Sequence, residues 1–318
     1  MKTVVVTGAA GYIGGQVSLQ LKDAGHRVIG IDNRHYPSHL TGLFDSFLHN
    51  DFASDPGLNV LIREQPDAVV HCAGTSLVGP SIKNPDVYYN NNVVKTLKML
   101  DIVCSAIPKT RVIFSSSAAT YGNPVMSPCH EVDPTEPISP YGESKLMIEW
   151  LLKSYNHAYK FDYVALRYFN ACGADPQARH GQEPGATHII ARVLESVKNN
   201  TQFTLYGTDY HTEDGSCIRD YIHVNDLADA HILGLEYLLN GGDTMKKWVN
   251  YTLDEARKSV HGTKSARKNA GMENQFRADA KDNLTPSVPV LKKTPEFMST
   301  SDLMEEINKI NEISKKLI

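Results

Sequence analysis

Thr3-Val-Val-Val-Thr-Gly8-Ala-Ala-Gly11-Tyr-Ile-Gly14 opens the chain, and Arg27-Val-Ile-Gly-Ile-Asp32 follows it. The first β-branched run reads as a buried strand. Glycines at 8, 11 and 14 then turn straight into a helix. Its Ile13, Val17 and Leu21 repeat every four residues, and Gly25 stands where a C′ glycine belongs. Arg27–Ile31 is the second strand, and Asp32 ends it. Strand, glycine turn, helix, strand and carboxylate at this spacing form a dinucleotide-binding unit. Such glycines let the main chain approach a pyrophosphate, and the helix N-terminus favours its charge. Asp32 can accept hydrogen bonds from ribose hydroxyls and repels a 2′-phosphate, which favours NAD over NADP. Arg34 is a mild counter-signal. A purely structural tight turn is the plainer alternative, and the full spacing outweighs it.

The same alternation runs on. Asp51-Phe52 follows an irregular segment; the carboxylate can reach an adenine amino group or cap a helix. Ala68–Cys72 is the third strand, leading into Ala73-Gly74, whose small size lets a cofactor pass close by. Tyr88 to Leu100 reads as a long helix with Asn90, Asn91 and Asn92 near its start. Arg111–Ser115 is the fourth strand and ends in Ser115-Ser116-Ser117; Tyr163–Arg167 is the fifth and leads into Tyr168-Phe169-Asn170. Strands alternating with helices imply a parallel sheet with ligands at its carboxyl edge. The fold class expected is α/β: a doubly wound parallel sheet of Rossmann type with a smaller C-terminal α/β substrate-binding lid. Residues 1–170 would be the NAD domain carrying the catalytic groups, and 171–318 the substrate part, atypical after about residue 240. Within the latter, Thr187–Val197 reads as helix, Phe203–Tyr206 as a short strand, and a helix capped at Asn225 or Asp226 runs to about Leu239. His223 and Cys172 read as packed groups.

Ser139-Pro-Tyr141-Gly-Glu-Ser-Lys145 carries the chemistry. Ser139 suits an N-cap and Pro140 the first helical position. Leu146, Met147, Trp150 and Leu151 supply an apolar stripe. Tyr141 and Lys145, four residues apart, share one helix face. A cation held beside a phenol favours the phenolate, so such a Tyr can take a proton from an alcohol near neutral pH. Ser117 reaches the same sheet edge and can bond that alcohol. Taken alone, Tyr-x-x-x-Lys is more often an ordinary helix with a packed Tyr and a solvated Lys, and Ser117 a serine bonding its own backbone.

Composition narrows the classes. The 318 residues are 41% apolar and 21% charged, ordinary for a globular protein. No run is long and apolar enough for a membrane span. The chain enters its first strand at Thr3, so no signal peptide is expected. Five cysteines, with no C-x-x-C pair, argue against a disulfide framework or a metal site and suit a cytoplasmic protein. A net charge of −4 gives no nucleic-acid footprint. Residues 241–318 hold 14 Lys/Arg and 11 Asp/Glu, unlike the acidic remainder. That stretch is poor in periodicity. Its basic residues at 257–268 read as a solvated face, and Ser301–Leu317 as an amphipathic helix covering a core.

Together, Gly8–Gly14, Ser117, Tyr141 and Lys145 resemble the extended short-chain dehydrogenase/reductase family. Leu166-Arg-Tyr-Phe-Asn-Ala-Cys-Gly-Ala-Asp175 and Gly215-Ser-Cys-Ile-Arg-Asp-Tyr-Ile-His-Val224 are similar to its nucleotide-sugar epimerases. The resemblance covers about residues 1–240. It implies Tyr141 as catalytic base, assisted by Lys145 and Ser117. It implies NAD contacts at Gly8, Gly11, Tyr12, Ile13, Gly14, Asp32, Asn33, Asp51, Phe52, Cys72, Ala73, Gly74, Asn91, Ser115, Lys145 and Phe169. Asn170 and Arg219 would join Ser117 and Tyr141 in holding a UDP-sugar, Arg219 near the phosphates. The reaction implied is reversible C4 epimerisation of a UDP-hexose, UDP-glucose or UDP-galactose, in galactose metabolism. Family members are often homodimers.

Three features depart from that pattern. Thr75-Ser76 stand where many such epimerases have Lys. The later Gly-x-Gly turn and the strand after the Asp226 helix are not recognisable. The late Arg-Arg-x-Gly-Asp block that holds the nucleotide is absent. A nucleotide-sugar 4,6-dehydratase needs an Asp-Glu pair after the serines, where this chain has Ala118 and Ala119. An epimerase acting on UDP-GlcNAc or a UDP-pentose, and a non-catalytic NAD-binding protein, remain as alternatives.

Overall fold

The computed structural model describes residues 1–124, 129–205, 207, 209–210, 212–213, 215–217, 219–242 and a strand at 245–248. Met1–Glu183 and the described residues from Leu205 onward belong to one compact unit, and Pro184–Thr204 to another. The first unit is built on β1 (Thr3–Thr7), β2 (Arg27–Asp32), β3 (Ser46–His49), β4 (Ala68–His71), β5 (Arg111–Ser115), β6 (Tyr163–Arg167) and β9 (Met245–Trp248). Their order in the sheet is β3-β2-β1-β4-β5-β6-β9. Every pairing is parallel. Alternating residues face opposite sides, and both sides are buried. Val5, Val69, Val112 and Phe114 pack on α2 (Asp55–Glu64), α5 (Lys95–Ala106) and α6 (Pro140–Tyr159). Val4, Val6, Val70 and Ile113 pack with α1 (Tyr12–Asp23) and α8 (Val224–Leu239). The order reverses between β1 and β4, where such sheets bind their ligands. A two-stranded parallel sheet, β7 (Asn170–Cys172) with β8 (Tyr221–His223), stands beside it.

Five of the seven strands stand where the sequence places them. β3 lies in the segment read as irregular; as an edge strand it is half-exposed and shows no alternation. β9 (Met245–Trp248) is the strand after the Asp226 helix that the sequence does not make recognisable. Met-Lys-Lys-Trp looks polar, yet it pairs along β6 with Leu166 opposite Lys247. An edge strand needs only main-chain groups to pair, and edge lysines are common. Phe203–Leu205 form no strand, and Tyr206 lies outside the described residues.

The helices need their own corrections. α3 (Val78–Lys83) and α4 (Pro85–Tyr88) come first, and α4 runs through a π-helical turn, Tyr89–Val94, into α5. The three asparagines at 90–92 sit in that turn, which replaces the plain helix expected. α7 (Ile189–Asn199), in the second unit, exposes Ile189, Ile190 and Val197. α8 is capped by neither Asn225 nor Asp226. The exposed His223 caps it, its Nδ1 accepting from Asn225 N at 3.2 Å. The readings of 257–268 and Ser301–Leu317 lie outside the described residues.

α6 starts as expected, with Ser139 Oγ accepting from Gly142 N and Pro140 in the first turn. Of the stripe read from the sequence, Leu146 is buried and Leu151 packs against the core, but Trp150 is 54% exposed. The buried row is Tyr141, Lys145 and Glu149, at steps of four, beside Ser144, Ile148 and Leu152. Glu149 is fully buried and pairs with Arg167 of β6, through Oε1 at 2.8 Å and Oε2 at 2.6 Å. Glu149 also accepts from Ser116 Oγ at 2.7 Å, and Arg167 donates to the Tyr121 hydroxyl. A bidentate pair this dry is stable only when every partner is kept, and removing one leaves a buried bare charge. Glu149→Ala should therefore cost about 3–5 kcal/mol, whereas the apolar double change Glu149→Leu with Arg167→Met should cost less. Urea unfolding of the three proteins measures both.

Candidate active site

The glycine turn comes first. Gly8 has φ +71°, and a Cβ there would lie 2.7 Å from Ala73 N, so only glycine lets β1 and β4 end this close together. α1 starts from Gly11 with no side chain on its first N–H groups. Gly8, Gly11, Tyr12, Ile13 and Gly14 thus form an uncapped helix start at the point where the strand order reverses. This is the donor set a pyrophosphate requires, so the residues present fit a dinucleotide. Asp32 is buried at the end of β2, its two oxygens accepting from Ala10 N at 2.9 Å and Arg34 N at 2.8 Å. Each oxygen keeps a further lone pair. The Arg34 guanidinium lies 3.7 Å from Asp32 and 3.3 Å from Glu183. Asn33 is exposed beside it, its carbonyl bonded by His49 at 3.1 Å.

Asp51 does not cap α2; Ser54 does, through Gly57 N. The Asp51 carboxylate accepts from Ala53 N at 2.9 Å and from Lys95 at 2.6 Å. The sequence reading missed Lys95, a lone lysine on a helix that spacing alone could not tie to Asp51. The Phe52 side chain belongs to the core.

At the β4 end, Gly74 lies beside Asn92 of the π turn and Lys145 of α6. A Cβ on Gly74 would lie 3.0 Å from Asn92 Oδ1 and 3.8 Å from Lys145 Nζ. Asn91 donates to Thr75 Oγ1 at 3.2 Å. Asn92, which the sequence did not single out, is the better buried of the two. It accepts from Thr75 N at 2.7 Å and donates to Thr75 O at 3.0 Å and Ser144 Oγ at 2.9 Å. One amide thus joins the β4 loop, the π turn and α6. Helical geometry would not have revealed it, because the π turn sets where it points.

Ser117, Tyr141 and Lys145 come together at the carboxyl edge. Ser117 Oγ caps a 3-10 turn, Ala118–Tyr121, through Ala119 N at 3.2 Å. A Cβ on Gly142 would lie 2.5 Å from Ala119 O, so a glycine is needed for α6 to approach this turn. That approach brings buried Tyr141 and Ser117 to the same edge. Lys145 donates to Ser115 O at 2.8 Å, with Nζ 4.9 Å from the Phe114 ring centre and 6.0 Å from that of Tyr141. Burial pushes the Tyr141 phenol up; the Ser117 hydroxyl opposes this and Tyr88 adds to it. Lys145 does not dominate the phenol as the sequence suggests. Burial pulls Lys145 itself down to about 8.

Behind these stand groups the sequence did not assign. His71, between Thr7 Oγ1 at 2.7 Å and Thr96 Oγ1 at 2.8 Å, is pushed down to about 3 by burial and then by Lys145. The Ser115 hydroxyl turns inward, to His231 at 2.7 Å and Cys72 at 3.2 Å. Burial raises the Cys72 thiol to about 11. Asn170 donates to Asp220 O at 2.8 Å, so pairing of β7 with β8 brings Asn170 beside the segment of exposed Arg219. Phe169 is half-buried between β6 and β7.

A parallel sheet of this order, with a glycine turn at its reversal and Ser, Tyr and Lys at its edge, is the arrangement of a short-chain dehydrogenase/reductase. The chain belongs to the NAD dependent epimerase/dehydratase family, whose model matches residues 4–245. It is 45% identical over 245 residues to UDP-glucose 4-epimerase of Halalkalibacterium halodurans, covering 76% of this chain and 73% of that one. It is 42% identical over 251 residues to the enzyme of the same name from Azospirillum brasilense, covering 76% and 70%. UDP-glucose 4-epimerase from Brucella ovis, solved in complex with NAD, superposes with a TM-score of 0.74 at 37% identity, covering 80% of this chain and 81% of that one.

The buried lysine has a measurable consequence. Its folded value of about 8 lies below the unfolded one of about 10.4. Between these values the unfolded chain binds more protons, so this group's contribution to stability rises with pH and is lost as pH falls through 8. With protein freed of nucleotide, the unfolding free energy of wild type minus Lys145→Met should climb by about 1.4 kcal/mol per pH unit between 8 and 10. A flat difference would show an unshifted lysine.

Proposed function

We propose that the protein catalyses reversible C4 epimerisation of a UDP-hexose, interconverting UDP-glucose and UDP-galactose, with NAD as resident cofactor. The observation that carries this is the gathering of Ser117, Tyr141 and Lys145, all buried, at the carboxyl edge beside the glycine turn, with Tyr141 and Lys145 on one helix face. Gly8–Gly14, Asp32, Asn33, Asp51, Cys72–Gly74, Asn91, Ser115, Lys145 and Phe169 would hold NAD, which when bound takes up a hydride and gives it back. Tyr141 removes the proton of the C4 hydroxyl, and Ser117 bonds the same oxygen. The 4-keto sugar turns its other face, and Tyr141 returns the proton to the C4 oxygen as the hydride comes back. Lys145 supplies positive charge that offsets the burial penalty on an ionised phenol. Asn170 and Arg219 are the proposed UDP-sugar contacts.

No described helix is long and apolar enough to cross a membrane. A cytoplasmic homodimer is the assembly proposed; apolar Val94 and Trp150, left exposed on the π turn and α6, support it. Residues 171–318 are proposed as the substrate side of the molecule.

Tyr141→Phe keeps the ring and removes the proton carrier. Conversion of UDP-galactose, followed by separating the products, should fall by about 10²–10⁴-fold with the fold intact. Near-normal turnover would exclude Tyr141 as the base. The missing Arg-Arg-x-Gly-Asp block has its own consequence. Losing one charge-assisted phosphate contact weakens binding by roughly 10- to 150-fold. Calorimetry of UDP should therefore show weaker binding here than to the Halalkalibacterium halodurans enzyme run alongside. Equal affinity would mean that other residues replace the block.

A further inference from the structure

Arg34 is the counter-signal at the nucleotide end, and its surroundings decide what it does. Its guanidinium lies against the glycine turn, with Nη2 3.3 Å from the place a Cβ on Gly11 would take. Nε is 3.7 Å from Asp32 Oδ1, and the Arg34 main-chain N–H donates to the same oxygen at 2.8 Å. In this fold an arginine near the β2 carboxylate is what accommodates a 2′-phosphate, and a guanidinium can do so bidentately. Here its outer edge is already taken: Nη1 donates to the two oxygens of Glu183, at 3.3 and 3.5 Å. Two carboxylates thus flank one cation. An exposed ion pair is ordinarily worth little, because two long side chains must be ordered to form it. In this pair the acidic partner follows a fastened segment. Residues 173–183 form a strap along α1: the Tyr12 hydroxyl donates to Gly173 O at 2.7 Å, Gln16 donates to Asp175 at 3.2 Å, and Arg179 Nη2 bridges Asp175 and Asp23, each at 2.8 Å. Buried His180 closes the strap. Its Nε2 lies 2.9 Å from Tyr12 O, which only accepts, so Nε2 donates; its Nδ1 lies 3.0 Å from His39 Nε2. Glu183 stands three residues further on, so much of the ordering it needs is done by the strap.

We propose that Glu183 is a specificity-determining residue: held by the strap, it occupies the Arg34 guanidinium, keeps that cation from a 2′-phosphate and so makes the site select NAD over NADP. The inference rests on the reading of NAD as the resident cofactor and is independent of which sugar is turned over. Asp32 by itself repels a 2′-phosphate, and an unoccupied Arg34 beside it would cancel that repulsion. Glu183 removes the cancellation. Without its carboxylate, Arg34 can keep Nε toward Asp32 and offer its Nη edge to the phosphate.

Competition between the two nucleotides tests this without reference to turnover. Full-length protein is equilibrated with equal, excess NAD and NADP until the retained ratio is constant. It is then separated from free nucleotide and denatured, and the released NAD and NADP are measured by chromatography. Glu183→Gln keeps the size of the side chain and removes its charge. It should raise the retained NADP-to-NAD ratio about fivefold at low salt, the equivalent of one exposed ion pair, and the gain should shrink at about 0.5 M sodium chloride. Placed on top of Arg34→Gln, the same change should move the ratio by less than about twofold, because no cation is left to release. An unchanged ratio in Glu183→Gln, with NAD still retained, overturns the proposal alone. An equal gain with and without Arg34 shows Glu183 acting on the phosphate directly, and overturns its action through Arg34. Retention of neither nucleotide, by wild type or variant, overturns the proposal together with the reading of NAD as resident cofactor.

Discussion

The Glu149–Arg167 pair is the constraint on which the site depends. It joins the middle of α6 to the end of β6, and its spare bonds hold Ser116 and Tyr121 on either side of Ser117. Tyr141 and Lys145 stand eight and four residues before Glu149 on the same buried row. Fixing one end of that row by a bidentate ion pair fixes its rotation and height against the sheet edge. The cost is a charge pair taken out of water, which gives little net stability but leaves one arrangement satisfied. Here the satisfied arrangement brings Tyr141 to the edge that carries Ser117.

The same dryness governs the electrostatics. Burial raises Tyr141 and Cys72 and lowers Lys145, His71 and His231. Each is moved toward its neutral form, though Lys145, at about 8, still carries its charge at neutral pH among neutral donors and acceptors. A single mobile charge introduced among them then acts with little screening.

How much of this was legible follows from what each signal depends on. The glycine turn and Asp32 were readable because spacing in one short stretch defines them. β1, β2, β4, β5 and β6 were readable because a strand buried on both faces is a β-branched run. β3 and β9 were not, because an edge strand is held by main-chain bonds and leaves little trace in side chains. On α6 the apolar pattern found Leu146 but also pointed to the exposed Trp150, while the buried face mixes Leu146, Ile148 and Leu152 with Tyr141, Lys145 and Glu149; the steps of four from Tyr141 to Glu149 held the missed clue. Asn92, Lys95 and His231 act through partners far along the chain, which no local pattern encodes.

The order of the sheet also bears on how the chain is assembled as it leaves the ribosome. Outward from β1, the strands on one side appear as β2 and β3, and those on the other as β4, β5, β6 and β9. Each new strand therefore adds to an edge that already exists, and none has to insert between two earlier ones. The exception in timing is the final addition. β6 is complete by Arg167, and its outer edge waits for Met245 to emerge. During that interval Tyr163–Arg167, every residue of which is buried in the finished protein, presents an open row of main-chain donors and acceptors. A nascent chain with such an edge is most open to pairing with a neighbour before its last strand arrives. β9 then closes that edge of the sheet.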